Sequence, residues 1–243
     1  MDAPAGTTVG PHPREARALH GSLAAMDLPG AYTAERAAAL SGVPRSTIHW
    51  WARQEILVPK VSATKVKLWS YPDLMSLRVI YWLRRKKTTE RGTEIPRTSM
   101  PAVRRALKAL AAFETPVWDA TRPSLFVDES GRIHVNPPAG VQDLDGQLES
   151  AEFLNLVAPF STAEGTRGPD LVRPRPELRI VPGRISGSPH IVGTRLETRA
   201  LAALKDDGFD EGAIHELYPY VTSEQIAEAL DLEAQLAENL RAA

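Results

Sequence analysis

Five closely spaced side chains, Arg45, Ser46, Thr47, His49 and Arg53, carry groups that read nucleic acid. A guanidinium presents a rigid fork of N–H donors that matches paired acceptors on a guanine edge or a phosphate. Hydroxyls and an imidazole bond bases or backbone at shorter reach. Lys60, Lys65 and Lys67 follow, and Arg84, Arg85, Lys86 and Lys87 stand together further on. Ammonium and guanidinium groups of this kind neutralise phosphates without reading sequence. From Tyr32 to Lys87 eleven residues are Lys or Arg against three Asp or Glu, whereas the whole chain holds 29 against 30. Positive charge is therefore concentrated in this stretch, the electrostatic footprint of a surface that meets phosphates.

The elements that must hold these residues can be read from caps, breakers and apolar spacing. The Thr33 hydroxyl can cap a helix over Ala34–Leu40. Ser41-Gly42 ends that helix, with Gly42 free to turn left-handed. Pro44 suits the first turn of a second helix reaching Gln54. Ala37, Leu40, Val43, Ile48 and Trp51 supply a small core for the pair. The β-prone runs Ile56–Val61 and Val66–Trp69, joined by Ser62–Lys65, predict a two-stranded wing with Lys60, Lys65 and Lys67 on or near its tip. Tyr71-Pro72-Asp73 opens a third helix with Leu74, Leu77, Ile80, Tyr81 and Leu83 at helical spacing. Helix, turn, helix, wing and a Y-P-D helix, in that order, resemble the winged helix-turn-helix of the MerR type. The resemblance implies that the second helix enters the major groove. It makes the wing lysines and the Arg84–Lys87 run phosphate contacts.

The remaining chain sorts into an arm, an extension, a linker and a second domain. Residues 1–29 lack sustained periodicity and read as an arm with a helical stretch at Arg14–Met26. Thr88–Thr98 reads as a polar loop, and Met100–Ala112 as a helix with Val103, Leu107 and Leu110 on one face. Leu125–Val127 and Arg132–Val135 flank a Gly-containing turn and predict a β-hairpin. A helix is expected over Leu148–Leu156. Residues 30–160 thus form a DNA-binding domain with a dimerising or bridging extension. Ser161–Glu177, rich in Gly and Pro, reads as a linker.

Residues 178–243 begin with a turn-rich, β-prone segment in which Gly193 takes positive φ. Three helices follow. Leu196–Asp207 is closed by Gly208, and Glu211–Leu217 is capped by Asp210. The last runs to about Leu240 from a T-S-E-Q capping box at Thr222, with Ile226, Leu230, Leu232 and Leu236 as its apolar residues. The expected fold is mainly α, with a small β wing and hairpin: a winged helix-turn-helix plus a small helical, homeodomain-like C-terminal domain.

The second domain holds I-x-G-x-P-x-I-x-G-T-R over Ile185–Arg195, then G-F-x-E-x-x-I-x-x-x-Y-P and T-x-E-Q-I-x-x-A-L. These motifs resemble a compact bacterial family, once a domain of unknown function, found in VapB-type antitoxins of type II toxin–antitoxin pairs. The resemblance implies a large VapB-like antitoxin whose cognate toxin is a PIN-fold, Mg²⁺-dependent ribonuclease. From Leu178 to Ala243 six residues are basic and eleven acidic. Such a domain suits a partner protein better than phosphate. Tyr218 and Tyr220 are candidate interface anchors, with their own domain's core as the alternative use. Arg195 and Arg199 are candidates for insertion among the toxin's carboxylates, against ordinary pairing with Glu197 or Glu177.

Other function classes find little support. The chain has no cysteine, hence no disulfide framework and no thiolate metal site. No apolar run approaches a membrane span, and a cytoplasmic location is expected. There is no phosphate loop, nucleophile elbow or H-E-x-x-H, and six scattered histidines have no metal-site spacing. No enzyme activity, metal or cofactor is expected. Two readings remain. The first is an antitoxin that binds its toxin and represses its own operon as a homodimer on operator DNA. The second is a stand-alone MerR-like regulator whose C-terminal domain senses an effector or dimerises. A nucleoid or RNA-binding role is disfavoured, because aromatic residues are too few for a stacking platform.

Overall fold

A computed structural model describes residues 30–88, 94–111, 124–127, 133–136, 152–155, 157–162 and 165–242. The arm over 1–29, with its helical stretch at Arg14–Met26, lies outside them. The architecture is mainly α with small β pairings.

Strand β1 (Tyr32–Thr33) leads into α1 (Ala34–Ser41), where the Thr33 hydroxyl accepts from the Arg36 N–H at 3.2 Å. Gly42 ends α1 at φ 75°, and α2 (Arg45–Arg53) follows within three residues. Ala37, Leu40, Val43, Ile48 and Trp51, the five residues expected to pack together, are all buried. Helix α3 (Tyr71–Leu83) starts at a reciprocal capping box in which Ser70 and Asp73 satisfy each other's backbone N–H groups. Its Leu74, Leu77, Ile80 and Leu83 are fully buried.

The wing is smaller than the sequence predicts. Its one regular strand, β2 (Leu68–Trp69), pairs with β1 rather than with Ile56–Val61. The wing closes through a single antiparallel bridge, with Ser62 N–H on the Leu68 carbonyl at 3.1 Å and Leu68 N–H on the Ser62 carbonyl at 2.9 Å. Beyond α3, β3 (Lys87–Thr88) pairs with β4 (Glu94–Ile95) within the expected Thr88–Thr98 loop, and the Thr98 N–H donates to the Leu83 carbonyl at 2.9 Å. Helix α4 (Met100–Ala111) buries Val103 and Ala106.

The predicted hairpin is present as β5 (Ser124–Val127) and β6 (Ile133–Asn136). A third strand, β7 (Glu152–Asn155), pairs along the other edge of β5. This corrects the helix expected over Leu148–Leu156. The free edge of β5 supplies partners for the backbone of Glu152–Asn155, and that pairing overrides local helix preference.

The largest correction concerns 161–177. Its Gly and Pro content predicts a linker, yet several of its described residues pack against the α1–α2 turn and α3. After β8 (Phe160–Ser161), which pairs with β9 (Arg167–Gly168), Gly168, Pro169, Asp170, Leu171 and Pro174 are buried. Gly168 lies against the α1–α2 turn. A Cβ there would stand 2.7 Å from the Ser41 carbonyl oxygen, and one on Gly42 would stand 2.7 Å from the Gly168 nitrogen. Glycine at both positions is what lets the two backbones touch.

The fully buried Arg78 of α3 sits at this junction. Its guanidinium donates to the carbonyls of Leu40 (2.9 Å), Ser41 (3.2 Å), Ala158 (2.7 Å) and Pro169 (2.6 Å). Burial lowers its pKa to about 9, with Tyr71 and Asp170 pulling upward, so it stays cationic at neutral pH. A cation held on main-chain oxygens ties three distant segments together.

The C-terminal unit begins with β10 (Leu178–Arg179) paired to β11 (His190–Ile191). Between them a tight turn runs through Ile185, Ser186 and Gly187 with φ of 52°, 52° and 79°. Helices α5 (Thr198–Asp206), α6 (Glu211–Leu217) and α7 (Ser223–Arg241) follow. Asp210 caps α6 and Thr222 with Gln225 forms a capping box at α7, both as the sequence signals. Ile226, Leu232 and Leu236 of α7 are buried.

The unit packs directly on α1. Arg36 makes a two-pronged ion pair with Glu233 of α7, both contacts at 2.7 Å. Asn239 donates to the Ala39 carbonyl at 2.9 Å and accepts from the Arg167 N–H at 2.8 Å. The Tyr32 hydroxyl donates to the Gly187 carbonyl and the Ala31 N–H to that of Ser186, each at 2.9 Å.

Candidate nucleic-acid interface

Helix α2 turns Ile48, Trp51 and Ala52 into the core. With 3.6 residues per turn, that leaves Arg45, Ser46, His49, Trp50 and Arg53 along the opposite, outward face. Arg45, Ser46 and Arg53 are exposed there, and Thr47 and His49 are half-buried. The α1–α2 turn is closed by local hydrogen bonds. Gly42 N–H donates to the Ala38 carbonyl at 2.9 Å, and the buried Ser41 hydroxyl accepts from the Val43 N–H at 3.2 Å.

The wing joins the same face. His49 is held below the usual imidazole pKa first by burial and then by the positive charges of Arg45, Lys67 and Arg53. Those three cations, from both ends of α2 and from the wing, therefore lie close enough to act on one ring. The Ser62 hydroxyl donates to the Val66 carbonyl at 2.7 Å and meets the Thr64 hydroxyl at 3.1 Å, which shapes the tip. Lys60 and Lys65 are exposed, and Lys67 is half-buried. Arg45 is paired with Glu35 at 2.7 Å, with both side chains more than half exposed. Such a surface pair contributes little, and a phosphate or base edge can replace its carboxylate.

The run at the end of α3 is less uniform than its sequence. The Arg84 guanidinium donates to the Thr98 carbonyl at 3.2 Å, Arg85 lies 4.3 Å from the Tyr81 ring centroid, and Lys86 pairs with Glu94 at 3.7 Å. Arg84 and Lys86 remain exposed, while Arg85 is half-covered. Two of the eleven basic residues between Tyr32 and Lys87 are structural: Arg78 is buried, and Arg36 is bound to Glu233.

In the C-terminal unit the four candidate partner residues are not alike. Arg195 is exposed. Arg199 is paired with Glu197 at 2.6 Å, the pairing weighed against a partner role for it. Tyr220 is 64 % exposed and Tyr218 half-buried, their rings packed edge to face at 6.1 Å. Tyr218 thus supports the fold while Tyr220 projects. Asp206, Asp207, Asp210, Glu211 and Glu216 are exposed around α6.

Sequence reasoning passed over two exposed apolar residues, one on the outward face of α2 and one in the wing. Trp50 is 47 % exposed on α2, and Val66 is 63 % exposed at the wing tip. The apolar-out placement of Trp50 was legible, because Ile48 and Trp51 claim the inward side. Arg36, Glu233 and Arg78 gave no sequence signal, as their partners lie far away in the chain.

Among the described residues no group of His, Asp and Glu is placed to hold a metal ion, and no helix is long and apolar enough to cross a membrane. Residues 179–232 match the sequence model of a protein family of unknown function, DUF433, which is associated with antitoxin-like proteins. No curated protein and no solved structure matches the chain.

Proposed function

We propose that this protein is a DNA-binding antitoxin of the VapB type. Its MerR-like N-terminal half binds operator DNA, as a homodimer, and represses the operon. Its acidic C-terminal unit binds and silences a cognate VapC-like PIN-domain ribonuclease. The observation that carries the DNA half is the exposure of Arg45 and Arg53 on the outward face of α2, followed by a wing that exposes Lys60 and Lys65. The match of 179–232 to a family associated with antitoxin-like proteins supports the partner half.

Co-expression with the product of the neighbouring gene tests the antitoxin role, with only this chain tagged. The retained partner is silent in complex and cleaves RNA once separated. A partner with no ribonuclease activity after separation, or none retained, refutes it. In the DNA half, Arg53→Ala loses sequence preference. Lys65→Ala weakens binding to every duplex alike and lowers the salt slope by about one.

The close packing of the C-terminal unit on α1 favours a second reading, a stand-alone MerR-like regulator with an effector-sensing or dimerising C-terminal domain. A chain that shifts its own promoter DNA yet retains no nuclease supports that reading.

A further inference from the structure

The reading face combines cations with bare apolar side chains. Trp50 leaves nearly half its surface in water between His49 and the exposed Arg53, and Val66 stands out between Lys65 and Lys67. Of the large apolar side chains exposed among the described residues, Trp50, Val58 and Val66 belong to the N-terminal half, with Trp50 on the outward face of α2 and Val66 at the wing tip. Both are held in place. The two residues flanking Trp50 on its buried side, Ile48 and Trp51, are 0 % and 6 % exposed, so the helix cannot roll to hide the indole. The Ser62 hydroxyl on the Val66 carbonyl fixes the tip from which Val66 projects.

A single exposed apolar side chain is ordinary on a protein surface, and what singles these two out is the positive charge around them. Here the surrounding charge selects the occupant. Arg45, Arg53, Lys65 and Lys67 exclude a cationic protein and favour a polyanion, and a helix of this width fits the major groove of a duplex. The apolar feature of that groove is the thymine C5 methyl, whereas phosphates and sugars offer an indole nothing comparable.

We propose that Trp50 and Val66 are base-contacting, specificity-determining residues: Trp50 packs on thymine methyl groups in the major groove, and Val66 packs on base edges beside the wing. The proposal rests on the DNA-binding reading above and adds the ligand's chemistry, a duplex with thymine at defined positions. The wing lysines hold the protein on any duplex, and Trp50 and Val66 join Arg53 in choosing among duplexes.

The test uses the full-length chain and a random-sequence duplex library. Selection yields a preferred site, and each thymine in it is then replaced by deoxyuridine, which removes only the methyl group. The wild-type chain loses about fourfold in affinity at each methyl that Trp50 covers, the equivalent of one buried methylene. Trp50→Ala binds the site more weakly and no longer responds to deoxyuridine there. Val66→Ser loses sequence preference at flanking positions. Neither variant changes the salt slope, which separates them from Lys65→Ala. Val66→Ser keeps the wild-type thermal midpoint, whereas Trp50→Ala, which loses an indole more than half covered, melts somewhat lower and is compared at a temperature well below its own midpoint. If wild type selects a site but is indifferent to deoxyuridine, or if both variants select that site with wild-type affinity, the proposal is overturned and the DNA-binding reading stands. If selection enriches nothing, both fall.

Discussion

Gly168→Ala adds one methyl group to a surface-poor segment, and the structure sets its cost. The new Cβ would lie 2.7 Å from the Ser41 oxygen, 2.9 Å from the Ser41 carbonyl carbon and 2.7 Å from Nη2 of Arg78. Relief requires a separation nearer 3.4 Å, a displacement of roughly 0.7 Å against carbon contacts that are optimal at 3.5–4.0 Å. Neither neighbour can yield freely. Ser41 is main chain at the end of α1, and Nη2 of Arg78 is held by the Leu40 and Pro169 carbonyls at 2.9 and 2.6 Å. A shift of that size stretches at least one of these bonds beyond useful length. A hydrogen bond to a charged group contributes about 1.5–3 kcal/mol, and the guanidinium has no water to turn to. We therefore expect a loss of about 3 kcal/mol in urea unfolding followed by far-ultraviolet circular dichroism, a large share of a typical domain's stability. Gly42→Ala meets the same approach from the other side, at 2.7 Å from the Gly168 nitrogen, and at φ 75° carries backbone strain as well. It should cost at least as much. If both variants unfold within about 0.5 kcal/mol of wild type, in the range of ordinary surface substitutions, the packing of 165–172 against the α1–α2 turn is wrong.

Glu55 is exposed and sits at φ 51°, a conformation that favours glycine. Glu55→Gly should therefore raise stability by about 1 kcal/mol, and a lower melting temperature would contradict the assigned backbone. Arg36 and Glu233 keep only 20 % and 12 % of their side-chain surface. A double-mutant cycle with Arg36→Ala and Glu233→Ala should give a coupling of about 1–2 kcal/mol, between the surface and buried limits. A coupling near zero would deny that this pair fastens α7 to α1. His49 has a folded-state pKa below 6.5, so the unfolded chain takes up this proton first. Its contribution to stability is complete above pH 6.5 and shrinks as the pH falls below it. A phosphate beside the ring raises that pKa, so duplex affinity should rise as the pH is lowered through 6.5. His49→Gln should flatten the rise in a fluorescence-anisotropy titration, and an unchanged pH profile would place the ring away from the phosphates.

The local signals in this chain were sufficient for its local structure. Thr33, Asp210 and the Thr222–Gln225 pair cap the helices they appeared to cap, because a cap needs only a side chain and the backbone within three residues. Ile48 and Trp51 point inward on α2 because helical period alone separates them from Arg45, His49 and Arg53. The cationic face was therefore legible in its residues, and the β5–β6 hairpin in its turn.

Tertiary structure decided which of those residues are held by partners and which stay exposed. The Gly and Pro content of 161–177 forbids a helix but cannot distinguish a solvated linker from a chain threaded past two glycines and a buried arginine. The difference lies in Ser41, Gly42 and Arg78, about 90 to 125 residues away in the sequence. In the same way Arg36 and Arg78 counted as part of a basic stretch until Glu233 and four carbonyl oxygens claimed them. Lys67 stood in the expected wing, and the fold sets its positive charge against the His49 ring. Residue type and spacing set which groups are available, and long-range packing sets which remain free to meet a ligand.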